Sequence, residues 1–236
     1  MNTMYRPQWG AQTIDRAAID VALRGYMLRV YNLMGSGLAV SGIVAIAAFQ
    51  LGWAQAFVGS GLGLVVMLAP IGILLAMSFG INRMSSATVN GLYWLFVATM
   101  GLSLSTIFLV YTGSSIARVF FITAATFGAM SLYGYTTKRD LSKFGSFLMM
   151  GLIGIILASV VNIFLGSTVL QFAVSVIGVL VFVGLTAYDT QRIKSEFYEG
   201  DAADIQSKQA VMAAVSLYLN FINLFQLLLS LLGNRE

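Results

Sequence analysis

Seven long apolar runs take up most of this 236-residue chain and restrict what it can fold into. They cover residues 28–51, 57–79, 89–111, 116–135, 144–165, 170–189 and 210–232. Each approaches the ~20 residues that a helix needs to cross a bilayer. A water-soluble domain cannot hide so much apolar surface. Hydrophobic residues make up 58% of the chain and charged residues 9%, where a soluble domain carries roughly 25% charge; the mean hydropathy is +0.87. The expected fold is therefore an all-α membrane protein, a seven-transmembrane-helix bundle over residues 28–236 preceded by an N-terminal segment, 1–27. The lipid bilayer is its first partner.

Residues 1–27 are polar. Arg16, Asp20 and Arg24 are spaced four apart, while Ile14, Ala18, Val21 and Ala22 fall toward another face. That pattern fits an amphipathic helix lying at the membrane surface, or an ordinary helical lead-in to the first span. The first run is long enough to stay in the membrane, so no cleavable signal peptide is expected.

Lys and Arg give the orientation. With the N-terminus in the cytoplasm, eleven of the 13 basic residues fall inside, and only Arg118 and Arg235 lie outside. The positive-inside rule then favours a cytoplasmic N-terminus, and seven spans put the C-terminus outside. A re-entrant last segment would leave six spans and return the C-terminus to the cytoplasm. The sixth connection, 190–209, holds most of the loop charge, so its flanking helices are expected to project beyond the bilayer and turn near Gly200-Asp201.

Composition also narrows the chemistry. Basic residues stand at the ends of apolar runs and form no patch for nucleic acid. Cysteine and histidine are absent, which removes disulfides, thiol catalysis, the commonest metal ligand and the side chain that usually senses pH near neutrality. Many glycines lie inside spans, where they let helices approach closely; none sits in a nucleotide-loop motif. Pro70 lies within the second span and is a candidate kink. No hydrolase constellation and no second buried acid is evident, so neither an enzyme nor a cofactor is expected.

One acid stands out. In GLTAYDTQRI, Asp189 closes the sixth apolar run. Acids in a membrane usually face the bundle interior and mark a pathway, although one near a span end can simply be solvated. The seventh run, SLYLNFINLFQLLLSLL, carries Ser216, Asn220, Asn223, Gln226 and Ser230. At 100° per residue these fall within about one third of the helix circumference. Such a stripe needs partners in the bundle or water in a cavity. It serves either interhelical hydrogen bonding or a pore: amide and carboxylate oxygens are hard donors that suit Ca²⁺. Asp189, Asn220 and Asn223 are the candidate cation-binding and pH-sensing residues, with Ser216 and Gln226 lining the path. Arg83, after the second span, is either a membrane anchor or a latch that pairs with Asp189.

AATFGAMSLYGYTTKRDLSKFGSFLMMGLIG (from Ala124), AYDTQ (from Ala187) and SLYLNFINLF (from Ser216) closely resemble the transmembrane Bax inhibitor motif family in its bacterial branch. The resemblance covers nearly the whole chain. It implies a seven-helix bundle whose last helix is central and surrounded by the other six, located in the bacterial inner membrane. It also implies a pH-sensitive cation leak, best described for Ca²⁺. The family's sensing pair is two aspartates; one matches Asp189, and the other stands in LYLDFINLF, where this chain has Asn220. An Arg matched to Arg83 closes the pore by pairing with the first Asp. Other relatives regulate a membrane-anchored ATP-dependent protease, which makes a non-conducting regulator the rival function. A proton-coupled transporter is a third reading, disfavoured by a single intramembrane acid. Two adjacent carboxylates titrate as a unit. Asn220 has no proton to share, so a weaker Ca²⁺ site and a simpler pH response centred on Asp189 are expected.

Overall fold

The computed structural model describes residues 9–58 and 60–235, with side chains from residue 18 onward. Its helices are α1 (Trp9–Gln50), the short α2 (Trp53–Phe57), α3 (Gly61–Gly80), α4 (Ser86–Leu104), α5 (Gly113–Thr136), α6 (Ser142–Leu165), α7 (Thr168–Glu196) and α8 (Ala203–Leu232). A 3₁₀ turn, Ser105–Leu109, prolongs α4. Seven of the helices are long and apolar enough to cross a membrane. The last is a continuous 30-residue helix, not a re-entrant loop. The chain is an all-α, multi-pass membrane protein.

The first helix starts well before the apolar run. Helix α1 passes through residues 27 and 28 without a break, which fits a helical lead-in to the span. The Ile14 and Arg16 side chains lie outside the described residues. The expected extension of the sixth and seventh helices is present: α7 ends at Glu196 and α8 begins at Ala203. Gln206 ties the intervening turn together, donating to the Asp201 carbonyl at 3.1 Å, and Gln209 donates to the Asp201 carboxylate at 3.1 Å.

Helix α8 is the core element. Half of its most apolar window is buried, against 11% for α3 and 6% for α6. It packs directly on α1, α4, α5 and α7, while α3 rests chiefly on α4 and α6 on α7. The last helix is thus central, with four helices against it and the two most peripheral ones standing across a cavity. Its buried face carries Leu217, Tyr218, Phe221, Leu224 and Leu229. Phe221 meets Phe120 and Phe127 of α5 edge to face, at centroid separations of 5.5 and 5.6 Å.

Backbone groups in lipid must be satisfied within the protein, and Pro70 tests this rule. Proline has no N–H, so the carbonyl four residues earlier, on Val66, loses its helical partner. The Ser103 hydroxyl on α4 donates to that carbonyl at 2.8 Å, and α3 continues unbroken to Gly80. Ser103→Ala is expected to orphan the Val66 carbonyl and destabilise the bundle by about 1–3 kcal/mol. Thermal unfolding in detergent should fall accordingly. A melting temperature equal to that of the parent would show that water satisfies the carbonyl instead.

Two glycines set helix spacing. A Cβ on Gly134 would collide with the Ala187 backbone of α7, and one on Gly101 would meet the Ser41 carbonyl of α1 at 2.6 Å. Gly134 therefore brings α5 against α7 two residues before Asp189. Gln191 and Lys194 fasten the same region. Gln191 accepts from the Leu141 N–H and donates to the Arg139 carbonyl, both at 2.8 Å, and Lys194 donates to the Tyr135 carbonyl at 2.9 Å.

Candidate functional site

Asp189 lies seven residues before the end of α7, roughly 10 Å along the axis at 1.5 Å per residue. It is only 7% exposed. A buried carboxylate persists when its oxygens are paired and hydrogen-bonded, and both of these are. Oδ2 accepts from the Ser216 hydroxyl at 2.9 Å and from the Asn220 side-chain amide at 2.8 Å. Oδ1 pairs with the Arg192 guanidinium at 3.1 Å. Of the expected trio, Asp189 and Asn220 converge on one point between α7 and α8, joined there by Ser216, which was expected only to line the path, and not by Asn223.

Arg83 does not reach this point. It lies exposed in the turn after α3 and, among the described residues, forms no ion pair. The cation on Asp189 is Arg192, which sequence reading left among the charges of the sixth connection. The spacing carries a signal for it, since residues three apart on a helix share a face. Arg192 also approaches a second carboxylate, Glu196, with Nε 3.8 Å from Oε1. Its guanidinium carbon sits 5.9 Å from the centre of the Tyr188 ring, and Nε itself is buried without a hydrogen bond.

The polar stripe of α8 faces a cavity of about 1260 Å³ between α3, α6, α7 and α8. Asp189, Ser216, Asn220, Asn223, Gln226 and Ser230 all line it. From Ser216 to Ser230 the stripe extends roughly 21 Å. Asn223 returns its amide to the Leu219 carbonyl of its own helix at 2.8 Å, and Ser175 donates to Ser230 at 3.3 Å at the far end. The opposing walls are mainly apolar, with Leu74 of α3 and Leu152 and Ile155 of α6, and Ser159 and Asn162 of α6 are their polar members.

A second cavity, of about 620 Å³, lies toward the α7–α8 turn. Glu196 and Gln209 line it, and Asp189 does not. The two cavities share Leu74, Arg192, Ser216 and Leu219. Arg192 therefore stands at the boundary between them, held on Asp189. Among the described residues no three acidic, histidine or cysteine side chains gather as a metal cage. The side chains that bond Asp189 from α8, Ser216 and Asn220, are neutral, and Arg192 already offsets its charge, so little net charge is left to hold a divalent ion tightly.

The family profile described as "Bax1-I: Inhibitor of apoptosis-promoting Bax1" matches residues 23–236. A protein of Rickettsia prowazekii is 48% identical over 225 residues, covering 95% of both chains. One of Caulobacter vibrioides is 47% identical over 251 residues, covering both completely. The Escherichia coli inner membrane protein YbhL is 46% identical over 220 residues, covering 91% of this chain and 93% of its own. With the match spanning all seven membrane helices, the chain belongs to the Bax inhibitor-1 family of membrane proteins.

Proposed function

We propose that this protein is a slow, pH-sensitive cation leak, with Ca²⁺ as a permeant ion, whose gate is the Asp189–Arg192 pair. The observation that carries this reading is the boundary between the two cavities. A polar-lined space runs along α8 and stops where Arg192 is held on Asp189, and a second space begins on the other side. The guanidinium is the charged group of that boundary, which Leu74, Ser216 and Leu219 complete. Neutral Ser216, Asn220, Asn223 and Gln226 along the cavity support transit over storage, because conduction needs sites weak enough to leave. The protein is read as an inner-membrane component with its N-terminus in the cytoplasm, without enzymatic activity or cofactor. In that orientation the smaller cavity is the cytoplasmic mouth.

Asp189 makes the leak pH-sensitive. While the gate is shut, Arg192 already neutralises its charge, so protonating Asp189 sacrifices no cation attraction. It removes the anionic half of the latch and frees Arg192. Ser216 and Asn220 from α8 are neutral, and Glu196 is the other carboxylate within reach of Arg192. Flux is therefore expected to rise as pH falls.

The test is Ca²⁺ uptake by liposomes bearing the purified protein, at acidic and alkaline pH, beside Asp189→Asn. Wild type should leak more in acid, and Asp189→Asn should leak equally at both. Flux no greater than that of empty liposomes in either protein would overturn the reading. It would favour a non-conducting regulator of a membrane partner such as an anchored protease.

A further inference from the structure

We propose that the furrow between α1 and α5 binds one acyl chain of an anionic glycerophospholipid, with Arg24 holding the headgroup phosphate. The furrow encloses about 530 Å³, a volume suited to a single fatty chain. Its walls are Met27, Leu28 and Met34 of α1 with Phe127 and Leu132 of α5. It lies on a different side of α8 from the polar cavity and shares no residue with it. The inference does not depend on whether the protein conducts.

Two glycines argue that the furrow is kept open. Gly35 and Gly128 face it from opposite walls, and a Cβ on either would meet nothing within 4 Å. They differ from Gly101 and Gly134, where a Cβ would strike a neighbouring backbone. Close helix packing therefore does not account for them. Their missing side chains leave room between two helices that both pack on the core helix α8.

The mouth has the charge for an anion. Arg24 is the only charged residue lining the furrow and, among the described residues, has no ionic partner. Tyr135 forms the opposite lip, with the Lys194 ammonium 4.9 Å from its ring centre. Arg24 also precedes the first apolar run, 28–51, by four residues, roughly 6 Å along α1, the position of a headgroup above an acyl chain. Midway along the furrow, the Tyr31 and Ser131 hydroxyls bond to each other at 2.5 Å, and Ser131 also bonds to Thr190 of α7. An anionic headgroup presents phosphate to Arg24 without the ammonium that a zwitterionic lipid would add.

Native mass spectrometry of the delipidated full chain, given phosphatidylglycerol or phosphatidylcholine, tests both halves. Wild type should retain one phosphatidylglycerol, preferred over phosphatidylcholine by about fivefold, as one basic residue near an anionic headgroup provides. Arg24→Gln should still bind lipid but lose the preference. Gly128→Leu should fill open space, keep the parent melting temperature and lose the retained lipid of either kind. Arg24→Gln alters an exposed side chain, so its result stands even if Gly128→Leu folds poorly. An unchanged headgroup ratio in Arg24→Gln, or full lipid retention in a folded Gly128→Leu, would overturn the proposal.

Discussion

Arg192→Gln is expected to raise Ca²⁺ flux into liposomes at neutral pH by about an order of magnitude. The estimate comes from the strength of the pair it breaks. The Arg192 side chain is 41% exposed and that of Asp189 only 10%. Exposed pairs contribute up to roughly 1 kcal/mol, and removing one partner of a fully buried pair costs roughly 3–5 kcal/mol. A value near the lower limit, about 1.4 kcal/mol, shifts a closed–open equilibrium tenfold. Glutamine also leaves the Asp189 charge facing the cavity, which draws cations. Arg192→Lys keeps the charge but loses the planar fork, so its flux should lie between the two. Combining Arg192→Gln with Asp189→Asn should leak no more than Asp189→Asn alone, because one pair cannot be broken twice. Arg83→Gln should change nothing. Flux that rises with Arg83→Gln and not with Arg192→Gln would move the latch to the second connection and disprove the assignment made above.

The Arg192–Asp189 pair escaped sequence reading for a physical reason. Arg192 stands among Lys194, Glu196 and Glu199, on the part of the helix expected to project beyond the bilayer, where one more charge does not stand out from its neighbours. The helix runs on to Glu196 and turns Arg192 back onto the face of Asp189. Asp189, Ser216 and Asn220 were easier to find, since a polar group in an apolar span has few places to go. The spans themselves were legible from length and hydropathy alone. Their arrangement around α8 was less so. The most apolar helices are α3, α6 and α7, of which α3 and α6 are peripheral, whereas α8 is less apolar and central. In lipid, apolarity marks the surface as readily as the core, so hydropathy does not say which helix is inside. The gap between α3 and α6 that gives the cavity its volume depends on packing, which single-chain periodicity does not encode.

Asn220→Asp is expected to create a cation-binding site beside Asp189. The Asn220 amide donates to Asp189 Oδ2 at 2.8 Å. An aspartate at this position replaces that donor with a second acceptor, so two carboxylates face each other at hydrogen-bonding distance. Both cannot remain charged and unpaired there. They share a proton, which makes the pair titrate as a unit, or they share a cation. The Ser216 hydroxyl and Arg192 are left to serve three or four oxygens instead of two. At alkaline pH without divalent ions the variant should melt below wild type, because like charges are held together. Ca²⁺ should then restore it selectively. A ligand that binds only the folded state stabilises by about 2.7 kcal/mol at a hundred times its Kd. Wild type, with one carboxylate already neutralised by Arg192, should respond little. The check is the melting temperature of both proteins in detergent across a Ca²⁺ titration at acidic and alkaline pH. Selective, pH-dependent stabilisation of Asn220→Asp would mean that the amide at this position is what keeps the native site weak. Equal responses in the two proteins would place any Ca²⁺ contact elsewhere along the α8 stripe and reduce Asn220 to a hydrogen-bond donor that orients Asp189.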